Sequence, residues 1–176
     1  MLAIAKHEFP KLDGVPCSYN LGFKKGNDFD SSIRGWTRYW NEVFRPTMPL
    51  DPNLVKALVA TESGFNPKAA TRVKSASKQA VGLIQLTGDT VNILKDEKGE
   101  LKNFYVNITE KDRFSADLNL AAGIRWLFRK YEIAHVRSEA ATWLSVIALY
   151  KGYPLNHPQI KKLAGLYETL QRKCSP

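Results

Sequence analysis

The chain has 176 residues, 44% hydrophobic and 24% charged, with 26 Lys and Arg against 17 Asp and Glu for a net charge of +9. That balance suits one compact folded unit rather than a disordered chain, and no apolar run approaches the ~20 residues of a membrane-spanning helix. The positive excess points to an anionic partner, either nucleic acid or an acidic cell-wall polymer. Its basic residues are scattered, however, and neither zinc-finger spacing nor an RRM-like aromatic signature accompanies them.

The opening MLAIAKHEFPK is apolar for only a few positions before His7, Glu8 and Pro10 interrupt it. It is too short for a secretory signal, so delivery by a secretion machine or a phage, or prior removal of a signal, is expected. The first thirty residues are rich in Gly, Pro, Asn and Asp and read as an irregular arm. Asp30 or Ser31 is placed to cap a helix through about Phe44, whose apolar face is Ile33, Trp36, Trp40 and Val43. Asp51-Pro52 is a strong helix start, Val55, Leu58 and Val59 form its face, and Gly64 followed by Asn66-Pro67 stops it. Residues 68–80 read as a loop, and AVGLIQLTGDTVNIL as a tight apolar turn with a short helix. A small hairpin is expected around Lys98-Gly99. Ser115 is placed to cap a helix facing inward through Leu120, Ile124, Leu127, Phe128 and Tyr131. Ser138 begins another, with Trp143, Val146, Ile147 and Tyr150 aligned, and Pro158 starts the last. The expected class is mainly α with at most a small β-hairpin.

Cys17 and Cys174 lie near opposite ends and leave both one end-to-end disulfide and two free thiols open. His7, His135 and His157 are far apart with no HExxH pairing, so neither a catalytic metal nor another cofactor is expected.

The anomaly is Glu62, seven residues after Val55 and on the same face, where a core residue belongs. It also sits in a last helical turn, where the helix dipole disfavours a negative charge. A carboxyl in apolar surroundings resists ionisation and can hold a proton near neutral pH, as a general acid must. The plainer alternative is a slightly rotated helix that lets Glu62 reach solvent, since glutamate is rarely buried without a partner.

Four motifs bear on that choice: ESGFNP at 62–67, GLIQLTGDT at 82–90, NLAAGIRWL at 119–127 and ALYKG at 148–152. In that order they resemble the catalytic domain of soluble lytic transglycosylases, relatives of goose-type lysozyme, whose pattern runs ESxFNP, GLMQ, a helix with Asn-Ile-x-x-Gly-x-x-Tyr-Leu, and AYNAG. The likeness covers about residues 50–153. It implies a lysozyme-like helical domain over 50–176, with the arm and one helix of 1–49 packed on it as a single unit. It also implies peptidoglycan as substrate, with action in the periplasm or on the cell wall. Glu62 matches the catalytic acid, protonating the glycosidic oxygen between N-acetylmuramic acid and N-acetylglucosamine. The ionised carboxylate then takes the proton of the muramoyl 6-hydroxyl as a 1,6-anhydro sugar closes. Ser63 is expected beside the acid or the sugar, Gly82 to let backbone approach substrate, and the Gln85 amide to line the cleft. Tyr150 is expected to orient Glu62 through its hydroxyl, while Asn119 and Gly123 are expected to pack.

Departures from the pattern are Ile84 for its methionine, Gly88-Asp89 for a proline-containing stretch, and Lys151-Gly152-Tyr153 for Asn-Ala-Gly. Lys151 and Tyr153 are placed to make new contacts, including one to an acidic stem peptide. The nearest rival is a hydrolytic muramidase, with Asp89 as a possible second carboxylate. A non-catalytic wall-binding module and a basic nucleic-acid binder rank lower, and nucleic acid is not the expected partner. SASK at 75–78 lacks the SDN and KTG triplets that would accompany a penicillin-interacting serine and is a chance match. A monomer is expected, and if the protein is a delivered toxin it needs a proteinaceous inhibitor or immunity protein in the producer.

Overall fold

The computed structural model describes residues 2–174. Its seven α-helices are α1 (Leu2–Glu8), α2 (Asp30–Phe44), α3 (Pro52–Ser63), α4 (Gly88–Leu94), α5 (Ala116–Arg137), α6 (Trp143–Lys151) and α7 (Pro158–Cys174). Among the described residues no strand forms, and only isolated bridges pair Ala70 with Val81 and Val81 with Leu86. The mainly α class therefore holds, but the hairpin expected around Lys98-Gly99 does not form. There the Asp96 side chain accepts from the Lys98 N–H at 2.9 Å and its carbonyl from the Gly99 N–H at 3.2 Å. A local side-chain turn thus takes up backbone groups that a strand pair would use.

Packing follows the predicted faces. α5 is the axis, with Leu120, Ile124 and Leu127 fully buried, lying against α2 on one side and α6 on the other. The buried Trp40 indole of α2 donates to the Ala121 carbonyl at 2.8 Å, which fixes the α2–α5 crossing with a satisfied polar group. α3 packs on α2 and α7, and Val55, Leu58 and Val59 are fully buried. Its ends are those expected. Asp51 accepts from the Asn53 N–H at 2.8 Å, and Gly64 ends the helix in the left-handed region at φ 57°.

Three helix starts differ from expectation. α2 is capped by Phe29 without a side-chain bond, because the Asp30 carboxylate is engaged by Lys56 instead. Ser115 precedes α5 but makes no capping bond. α6 begins at Trp143 rather than after Ser138, since Thr142 and Ser145 form a reciprocal capping box.

The N-terminal segment is irregular over residues 12–29, as expected, but not throughout. It contains α1 and a 3₁₀ turn at Phe9–Lys11. The Phe9 ring lies over Gly35, where a Cβ would come within 2.1 Å of it, and meets Trp36 edge-on with ring centroids 5.0 Å apart. Farther on, the fully buried Lys56 of α3 donates to the Cys17 carbonyl at 2.7 Å and the Asn27 side chain at 2.9 Å, and pairs with Asp30 at 2.8 Å. Burial pushes the Asp30 carboxyl up to about 6 against the pull of that lysine. Cys17 and Cys174 form a disulfide that joins this segment to the end of α7.

Candidate active site

Glu62 occupies the last turn of α3, with 15% of its side chain exposed. Burial pushes its carboxyl above the usual carboxylate range, opposed by the charge and hydrogen bond of Lys151. The alternative of a rotated helix with a free glutamate is therefore not what the fold adopts. Directly after it the chain reverses through two successive left-handed residues, Gly64 at φ 57° and Phe65 at φ 62°. A non-glycine there costs ~1–2 kcal/mol, and the complete burial of Phe65 against Phe23 offsets it.

The GLIQ stretch forms a closed turn against this helix end. Val81 and Leu86 exchange backbone hydrogen bonds at 2.9 Å each, and between them Gly82 at φ 85° and Gln85 at φ 55° reverse the chain. Gly82 is required twice over, by its φ and because a Cβ would lie 2.3 Å from Asn119 Nδ2. Asn119, wholly buried on α5, holds the turn. Its Oδ1 accepts from the Ile84 N–H, and its Nδ2 donates to the Val81 and Arg113 carbonyls, all at 2.9 Å. Ile84 seats on Gly123, where a Cβ would come within 2.1 Å of its Cγ2. The third motif thus packs the second, as expected of Asn119 and Gly123. Asn119→Ala should destabilise the fold by about 3 kcal/mol by orphaning these buried backbone groups, read as a lower denaturant midpoint.

Ser63 Oγ shares its one proton between the Leu83 carbonyl at 2.9 Å and the Val59 carbonyl at 3.2 Å, so it ties α3 to the turn. Both hydrogen bonds of the half-buried Gln85 amide go to backbone, Gly82 at 2.8 Å and Ala69 at 3.3 Å. The Tyr150 hydroxyl, expected on Glu62, donates to the Ile84 carbonyl at 2.6 Å. Burial, and secondarily the charge of Glu62, pushes that phenol well above its ordinary range. Tyr150 therefore sets the height of the GLIQ turn beside the carboxylate.

Two features escaped the sequence reading. The Lys151 side chain, only 5% exposed, donates to Glu62 Oε1 at 2.5 Å. The sole signal for it was the lysine standing where the motif has asparagine. Arg113, 4% exposed, donates to the Gln79 and Leu86 carbonyls at 2.6 and 3.2 Å and closes the back of the turn. Nothing in its neighbourhood marked it. Asp89 is exposed in the first turn of α4, a position the helix dipole favours for any carboxylate. An apolar cavity of about 500 Å³ lined by Met48, Leu54, Trp143 and Tyr167 opens at the other end of α3. Leu54 is eight residues from Glu62, about 12 Å along the helix, so this space is separate from the carboxylate.

The arrangement can do one kind of chemistry well. A carboxyl at the rim of an apolar wall, once protonated, can deliver that proton to a leaving oxygen and take one back. A family model described as the transglycosylase SLT domain matches residues 46–164, from the approach to α3 into α7. No curated protein and no solved structure matches the chain.

Proposed function

Because this chain belongs to the transglycosylase SLT domain family and so is a peptidoglycan-cleaving enzyme, we propose that Glu62 is its acid–base group and that the product is a 1,6-anhydro sugar. Glu62 gives its proton to the glycosidic oxygen as the bond from that oxygen to the muramoyl C1 breaks. The carboxylate left behind takes the proton of the muramoyl 6-hydroxyl, whose oxygen bonds to C1. One bond breaks, one forms, the proton on Glu62 is restored and no water is consumed. The oxocarbenium-like transition state carries positive charge, which the carbonyl end of α3 and the newly ionised carboxylate both favour.

The observation that supports this most is the enclosure of Glu62 beside the closed GLIQ turn, with burial holding its carboxyl up. Wall, turn and acid are tied together by Ser63 and Tyr150, so the carboxyl is held in place before substrate arrives. The Cys17–Cys174 disulfide suits an oxidising compartment, in keeping with action in the periplasm or at the cell wall.

The product decides the reaction. Digests of purified peptidoglycan should give muropeptides one water lighter than reducing-end products when analysed by mass spectrometry. Reducing ends alone would mean hydrolysis and would overturn the transglycosylase reading.

A further inference from the structure

In the free site Glu62 does not stand alone. Lys151 is the last residue of α6, and its ammonium meets Glu62 Oε1 at 2.5 Å with only 5% of the lysine side chain exposed. A carboxylate bound to an ammonium has no proton to give. For Glu62 to act as an acid, the lysine has to leave it, and an anion on the substrate would compete for that ammonium better than water.

The glycan carries one in the right place. Muramic acid bears a lactyl ether on O3 of the ring whose C1 is cut. That arm ends in a carboxylate, or in a stem peptide with carboxylates of its own. A lysine stem spans ~6 Å, so a swing about its own torsions can carry the ammonium several ångströms away from Glu62. The chain around Lys151 leaves room for it. Gly152 turns away at φ 71°, residues 152–156 are exposed, and Tyr153 stacks flat on His157 with ring centroids 3.9 Å apart.

We propose that Lys151 recognises a carboxylate of the substrate and releases Glu62 for catalysis by moving to it, which makes Lys151 the residue that selects muramoyl glycans over neutral ones. This rests on the reading of Glu62 given above. Lys151 and Tyr150, both on α6, are the titratable groups that bear on Glu62. The lysine pulls the acid's pKa down and burial pushes it up, so departure of the lysine leaves only the push of burial, which favours the protonated form. The sign for activity follows. Cleavage needs Glu62 protonated, so removing Lys151 moves the alkaline limb of the pH–rate profile to higher pH.

The test uses probes that cannot be cleaved, so its outcome is independent of whether the enzyme is a transglycosylase. N-acetylmuramic acid carries the lactyl carboxylate and muramyl dipeptide carries only stem carboxylates, each compared with its methylamide. The Glu62 carboxyl is followed by ¹³C NMR across pH. Saturating acid probe should raise the Glu62 titration midpoint and bind about tenfold tighter than its amide, the worth of one charge-assisted hydrogen bond. In Lys151→Asn the midpoint should already be high and acid and amide should bind alike, whereas Lys151→Arg should keep the preference. Whichever acid probe moves the midpoint identifies the source of the carboxylate. Equal effects of acid and amide on the wild-type protein, or no effect of either, would overturn the proposal whatever the variants do.

Discussion

Glu62→Gln is expected to abolish glycan cleavage while leaving the protein folded. The substitution keeps the shape of the side chain and an oxygen that can still accept from Lys151, so the 2.5 Å contact at the end of α3 retains a partner. What it removes is the exchangeable proton. General acid–base catalysis is worth roughly 10²–10⁴ in rate, and here one group serves both the bond-breaking and the ring-closing step. The loss should therefore lie at the upper end, visible as turbidity loss of cell-wall suspensions falling to background. Binding to insoluble peptidoglycan should persist, because none of the turn built by Gly82, Gln85 and Asn119 is touched. Cleavage by the variant within tenfold of wild type would remove Glu62 from the mechanism and return the site to a structural role.

How far the sequence leads to this site depends on how local each determinant is. α3 was legible because its start and stop are chemistry of adjacent residues. Asp51 caps the Asn53 N–H and Gly64 takes a conformation few other residues accept. The face of Val55, Leu58 and Val59 then placed Glu62 against the core. α6 was misplaced at its start because Ser138 and Thr142 are both good caps, and only the match of Thr142 with Ser145 selects between them. α1 was missed because seven residues carry too little periodicity, and the segment that follows is fixed by a ring lying on a glycine 26 positions later. The Lys151–Glu62 pair spans 89 residues and is set by where two helices end, which no local pattern encodes. The Tyr150 hydroxyl shows the same limit. Its residue was found by motif, but its partner, the Ile84 carbonyl, depends on the depth of the turn.

Replacing both Cys17 and Cys174 by serine should cost about 5 kcal/mol of stability. The bridge closes a sequence separation of 157 residues, and in the chain-entropy account a loop that long loses close to the largest amount a single disulfide supplies. Set against the ~5–15 kcal/mol of a typical domain, that loss would leave the fold marginal. The melting temperature should fall by roughly 10–20 °C for a chain of this size. The bridge also braces the site. α7 packs along α3, and its Tyr167 hydroxyl donates to Asp51 Oδ2 at 2.7 Å, the carboxylate that caps the helix ending in Glu62. On the other side, Cys17 supplies the carbonyl that the buried Lys56 of the same helix donates to. Loosening either end frees α3 to fray at its start, so activity in the double variant should fall at temperatures where the wild type is fully folded. The measurement is a pair of denaturant titrations, wild type against double variant, with a third of the wild type in reductant expected to fall on the variant's curve. A midpoint shift worth less than ~1 kcal/mol would mean that the Lys56 and Asn53 contacts hold the N-terminal segment without the covalent link. A large shift would tie the working state of the Glu62 helix to an oxidising environment, because the thiol form then lacks the stability to keep that helix seated.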